Sequence, residues 1–150
     1  MKNKGFSLVE LMIVVAIITI MASVGMFAIK GRAEKNELIR LRTEIATTLD
    51  TGALRAFEIQ KKADKVDINP NSIEIKVGAR NFETKSKIHT FSLSPSGISI
   101  GLNKLGAFEN TTNNENIDFD ILVKDRDNVE KIRVEVRSNA NLGVYSLEVK

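Results

Sequence analysis

Glu10 is the only acid at the start of a run otherwise fit for the interior of a membrane. It follows Lys4-Gly5-Phe6-Ser7-Leu8-Val9, and Leu11 to Ile29 carry no charge. Roughly 20 apolar residues make a spanning helix. A carboxylate inside such a helix costs about 2.5–3.5 kcal/mol on insertion scales, so it is rare and has a specific partner. A bare anchor has no use for it. The chemistry Glu10 offers is a contact with another molecule inside the membrane. The blander alternative is an odd anchor with Glu10 at the headgroup level.

Elsewhere the residue types do not assemble into a reaction centre. His89 is the only histidine and falls at a strand start, where a solvated or packed ring is expected. Asp125-Arg126-Asp127-Asn128 has a faint look of a calcium loop. It lacks the central glycine and distal glutamate that such a loop needs, so a polar turn is expected. Glu109-Asn110-Thr111-Thr112-Asn113-Asn114-Glu115-Asn116 has no apolar residue and reads as an exposed, mobile connection outside the core. Lys131, Arg133 and Arg137 share a strand face that Glu135 interrupts, a mixed solvated face rather than a DNA stripe. With no cysteine, thiolate metal sites, cysteine nucleophiles and disulfides are excluded. Aromatics are 5% of the chain and tryptophan is absent, so stacking platforms for single strands or sugars are scarce. No catalytic residue, metal site or cofactor is expected.

The elements that must carry Glu10 follow from periodicity. The 150 residues suffice for one modest domain plus an anchor. A single long helix is expected from about Phe6 to about Lys62. Beyond the greasy run, Leu38, Leu41, Ile45, Leu49, Gly52, Ala56 and Ile59 recur at steps of three and four, one helical stripe. Arg40, Arg42, Glu44, Asp50, Arg55 and Glu58 fall largely off it. No proline precedes Pro70, and Gly25 weakens the helix by about 1 kcal/mol relative to alanine. From Asn69-Pro70-Asn71 the period becomes two. Ile73, Ile75 and Val77 alternate with Glu74 and Lys76. Phe91 and Leu93 lead through a Pro95-Ser96-Gly97 turn to a returning strand at Ile98, Ile100 and Leu102. Ile117 to Val123, Ile132 to Val136 and Tyr145 to Val149 alternate likewise, as strands with one wet face do. The expected architecture is α+β: a long amino-terminal helix packed on an antiparallel head of five to seven strands.

Gly5-Phe6-Ser7-Leu8-Val9-Glu10-Leu11-Met12 resembles the processing site of type IV prepilins and type II secretion pseudopilins. The likeness is specific over roughly residues 1–30 and architectural beyond. It implies a pilin-like fold and a leader, residues 1–5, removed by a prepilin peptidase that cuts between Gly5 and Phe6. It implies N-methylation of Phe6 and an assembly role for Glu10, the fifth residue of the mature chain. A membrane or filament-core helix over 6–29, an amphipathic continuation over 30–62 and a β-rich head over 63–150 follow. Loss of Lys2 and Lys4 with the leader would take the formal charge from +3 to +1, which gives no electrostatic case for a nucleic-acid binder.

In a bundle of parallel helices, Glu10 of one subunit can face the Phe6 amine of its neighbour. Pairing two charges that are costly alone in lipid favours association and fixes axial register. The implied partners are the peptidase, other pilin or pseudopilin subunits, an inner-membrane assembly platform and the membrane itself. The implied location is a single pass of the inner membrane, with the head in the periplasm or on a surface filament. The charges flanking the run, Lys2 and Lys4 before it and Lys30, Arg32 and Lys35 after it, do not decide orientation. A secretory signal peptide, with Ser23 and Gly25 imitating its cleavage site, fits less well: the apolar run is too long and Glu10 falls where its core should begin. A plain uncleaved anchor is the other alternative. Many major pilins carry a proline near the position of Phe27, which this chain lacks. The head most resembles H-type minor pseudopilins and FimT-like minor pilins, through a hairpin like Thr90 to Gly97 and a paired set of terminal strands; major pseudopilins of the G type share its length and lack of cysteine. The alternative function is a minor pilin whose head binds DNA for uptake or an adhesion target, with nucleic acid the less favoured partner.

Overall fold

A computed structural model describes residues 7–150, with all side chains but those of residues 25–30. The chain divides into two compact units, Met1–Glu37 and Leu38–Lys150. One helix, α1 (Leu8–Glu58), supplies the described helical residues of the first unit and opens the second. Glu10 in its first turn and Arg55 in its last complement the helix dipole.

The helix stops at Glu58, short of the expected Lys62, and the stop has a clear cause. Gln60 takes a left-handed backbone, φ 52°. The Gln60 N–H then reaches the Phe57 carbonyl at 3.2 Å, and the Lys61 N–H reaches that of Ala56 at 3.1 Å. This pair of reversed bonds is a Schellman closure, which satisfies carbonyls that the helix end would orphan.

In the second unit the stripe read from the sequence is the buried face. Leu41, Ile45, Leu49 and Ala56 are wholly buried. Nine strands follow, against the five to seven expected. β1 (Lys65–Asn69), β2 (Ser72–Val77) and β3 (Arg80–Lys85) form an antiparallel sheet in that order. β4 (Thr90–Ser94), β7 (Asp118–Lys124), β8 (Glu130–Asn139) and β9 (Val144–Val149) form a second, in the order β4-β7-β8-β9, and β5 (Ile100–Leu102) pairs with β6 (Phe108–Asn110). The antiparallel character holds throughout, but the Thr90 to Leu102 hairpin does not. A turn at Ser96-Gly97, with Gly97 at φ 79°, follows β4. The chain then leaves the sheet: Phe91 lies opposite Val123 and Ile100 opposite Asn110.

Alternating residues fill the core as period two demands. Ile73, Ile75 and Val77 of β2 are wholly buried, as are Ile121 and Val123 of β7 and Val134 and Val136 of β8. Phe108 meets Phe119 and Tyr145 edge to face, at centroid distances of 5.6 and 5.2 Å. Polar pins fix the helix to the sheets. Thr48 and Thr84 share a buried hydroxyl hydrogen bond of 2.6 Å. Arg40 donates to the Lys85 carbonyl at 2.9 Å, Arg42 to that of Val149 at 2.7 Å, and the Tyr145 hydroxyl to Asp50 at 2.8 Å.

Candidate functional site

The first described residues form a reciprocal cap. The Glu10 N–H donates to Ser7 Oγ at 3.2 Å, and the Ser7 N–H donates to Glu10 Oε2 at 3.0 Å. Leu11 N–H donates to the Ser7 carbonyl at 3.2 Å and closes the first helical turn. Ser7 is thus the N-cap and Glu10 the third helical residue, the Ser-x-x-Glu capping box. Glu10 therefore has a partner within its own chain, which the sequence reading did not give it. Ser7, the cap residue, is signalled in the sequence only by the Ser-x-x-Glu spacing before an apolar run.

Around and beyond the cap the helix is apolar on every side. Leu8, Val9, Leu11, Met12, Ile13, Val14, Val15, Ile17, Ile18, Ile20, Met21 and Val24 are all exposed large hydrophobics, Leu8 at 75%. A helix that is apolar all round demands an apolar surrounding, either other helices or lipid. Its two hydroxyls suit that surrounding. Thr19 donates to the carbonyls of Val15 and Ala16 at 3.0 and 2.8 Å, and Ser23 to that of Ile20 at 2.7 Å, so neither presents an unmet donor. Among the described residues no helix is long and apolar enough to cross a membrane. The expected span 6–29 reaches past them at Phe6 and takes in residues 25–29, whose side chains are not described. Gly5 and Phe6, the expected cleavage and methylation positions, also lie outside the described residues.

Residues 1–26 match the family model for the prokaryotic N-terminal methylation motif. The match supports the type IV pilin and pseudopilin family. It covers the residues on which the resemblance was read and leaves the head unassigned. No curated protein and no solved structure matches the chain.

The candidate residues of the head occupy structural positions. His89 is buried, 1% exposed, and its backbone N–H donates to Ser86 Oγ at 3.0 Å just ahead of β4. Asp125 builds a turn. Its Oδ1 accepts the N–H groups of Asp127 and Val129, both at 2.9 Å, and its Oδ2 pairs with Lys131 at 3.0 Å. Those contacts, led by the Val129 N–H, hold its carboxyl below the ordinary range. A carboxylate so occupied is a turn device.

Glu109 departs from the sequence reading. It is a buried β6 residue, 5% exposed, not part of an exposed loop. Lys62 Nζ reaches its Oε1 at 2.8 Å and Asn114 Oδ1 at 3.0 Å. Apolar patterning cannot reveal a buried acid whose cation lies 47 residues away.

The face of β7, β8 and β9 is an ionic ladder. Asp120 accepts from Arg137 at 2.9 Å and Arg133 at 3.4 Å, Arg133 pairs with Glu130 at 2.9 Å, and Glu135 holds Lys150 at 2.7 Å and Arg137 at 3.3 Å. The arginines of this face are matched by its own acids and form no phosphate-binding stripe.

Proposed function

We propose that this chain is a structural subunit, a pilin or pseudopilin, of a type IV pilus or a type II secretion pseudopilus. A prepilin peptidase cuts after Gly5, Phe6 becomes the N-methylated terminus, and Glu10 docks the subunit against the Phe6 amine of a neighbour. The inner membrane stores the subunit before an assembly platform adds it to the filament, with the head outside the cytoplasm. The observation that carries this reading is the methylation-motif match over residues 1–26, on a chain whose one acid in that apolar stretch is exposed at the helix start. The family of that motif is structural rather than catalytic.

Two features favour a structural role over capture of DNA. The arginines of the outer sheet face are paired with acids, and the mature chain is close to neutral. Within the family, the paired terminal strands β8 and β9 favour the H-type or FimT-like subtype. The hairpin at Thr90 to Gly97 lends it no support, because β4 pairs with β7.

Intact mass and amino-terminal peptide spectra of the protein from its own host membranes test the processing. The expected chain starts at N-methylated Phe6. A chain that keeps Met1 to Gly5, or starts near Met26, overturns the reading. For assembly, Glu10→Ala is expected to be processed normally and excluded from sheared filaments; assembly at the wild-type level would remove the docking role.

A further inference from the structure

We propose that Ser7 is a positioning residue for Glu10, so that the capping box prepares the carboxylate for the neighbouring subunit rather than merely starting a helix. The inference rests on the docking role of Glu10 given above. Three observations carry it. The box is reciprocal: Ser7 Oγ accepts the Glu10 N–H at 3.2 Å, and Glu10 Oε2 accepts the Ser7 N–H at 3.0 Å. It occupies one oxygen of a group that has two oxygens and about four lone-pair sites, so an ammonium can be added without breaking it. And Glu10 stays exposed while so held.

The physical advantage is preorganisation. A glutamate has three rotatable side-chain bonds, and a contact formed from a free rotor must first freeze them. Here the rotor is already fixed by its own backbone. The box also ties the carboxylate to residue 7, covalently next to Phe6, which would carry the amine of the processed chain. The acid of each subunit is thus held one residue from its own terminus, and the stagger between neighbours is set by short, stiff links. Threonine can replace serine in this geometry, whereas alanine keeps the residue 7 N–H but loses the hydroxyl acceptor.

The test uses the full-length chain in its own host, co-expressed with wild type. The readout is the fraction of each variant in sheared filaments relative to its fraction among processed chains, both by mass spectrometry. Ser7→Ala is expected to lower incorporation about three- to tenfold, in line with loss of a cap, and Ser7→Thr to restore most of it. On a Glu10→Gln chain, Ser7→Ala is expected to add no further loss, because a residue that acts through Glu10 has nothing left to position. Wild-type incorporation of Ser7→Ala beside a loss for Glu10→Gln overturns this inference and leaves the docking reading standing. An equal loss from Ser7→Ala on both backgrounds makes Ser7 a helix cap only. Wild-type incorporation of Glu10→Gln removes charge pairing itself, and this inference with it.

Discussion

Lys62 and Glu109 show how one residue pair can fix a region that composition marks as loose. Glu109 is almost fully buried and Lys62 is its cation, while Lys62 itself is 57% exposed on its side chain. Lys62→Met leaves a buried carboxylate without that cation, which destabilises by about 1–3 kcal/mol. Water reaches the lysine side of the pair, so the loss is expected near about 1 kcal/mol. Urea melts of Lys62→Met against wild type measure it. Glu109→Gln, which removes the charge to be compensated, is expected to cost less. Unfolding curves that superimpose for all three chains would show that the pair contributes nothing. At the same scale, Ser7 and Glu10 were both present in the sequence as a Ser-x-x-Glu signature. A charge in an apolar run points outward to a foreign partner, while the local backbone bond of Glu10 is unremarkable in composition.

Helix and sheet meet closely at Gly52. A Cβ there would lie 2.8 Å from Ile75 Cγ2 and 3.1 Å from its Cδ1. Alanine in an exposed helix interior gains about 1 kcal/mol over glycine. Here Gly52→Ala forces Ile75 out of its place in β2 and is expected to destabilise by about 1–3 kcal/mol instead. Thermal unfolding followed by circular dichroism gives the sign; a raised Tm would mean that Ile75 moves aside freely. The same stripe carries a second test: Leu49→Ala, at a wholly buried position, is expected to cost about 2–5 kcal/mol. The helical stripe was legible because seven residues at steps of three and four leave one face. The main strands were legible where branched residues alternate with charges, as in Ile73 to Val77. β1, β3 and β6 were missed for separate reasons. Lys65–Asn69 and Arg80–Lys85 are edge strands of their sheet with little buried surface, and Phe108–Asn110 is three residues long. Pairing was the least legible level. Nothing in Thr90 to Leu102 says that β4 will seek β7, because a turn fixes a change of direction and leaves the choice of partner to the core.

At the scale of the molecule, the charges of the head set a pH range. Hydrogen bonds and cations hold Asp64, Glu74, Asp125 and Glu130 below their ordinary values of 3.8 for aspartate and 4.5 for glutamate. Their largest causes are Lys61 for Asp64, Lys65 for Glu74, the Val129 N–H for Asp125 and Arg133 for Glu130. A folded value below the unfolded one stabilises fully above the unfolded value and is lost as pH falls through the folded value. Lys65 goes the other way: bonds to Glu74 and Asp67 raise it from 10.5 to about 12, so its contribution is full below 10.5 and fades as pH approaches 12. The Tm of the detergent-solubilised chain is therefore expected to hold level across the neutral range, fall below about pH 4 and fall again above about pH 11. A Tm that drops steadily from pH 7 to pH 5 would contradict this.

The segment from Thr111 to Asn116 is exposed, yet it is laced to its surroundings. Glu109 bridges to Asn116, Thr111 bonds to Ser99 by both hydroxyl and backbone, Asn113 holds Glu115, and Asn114 accepts from Lys62, beyond the end of α1. A protease must draw a stretch of chain out straight before it can cut. Such a stretch here would have to shed those bonds first, and Asn114 would have to leave its left-handed backbone, φ 56°. Accessibility to a water molecule and accessibility to trypsin-sized machinery thus part company at this loop. The most polar surface stretch of the head is therefore expected to resist nicking because side chains knot it down, not because it is hidden.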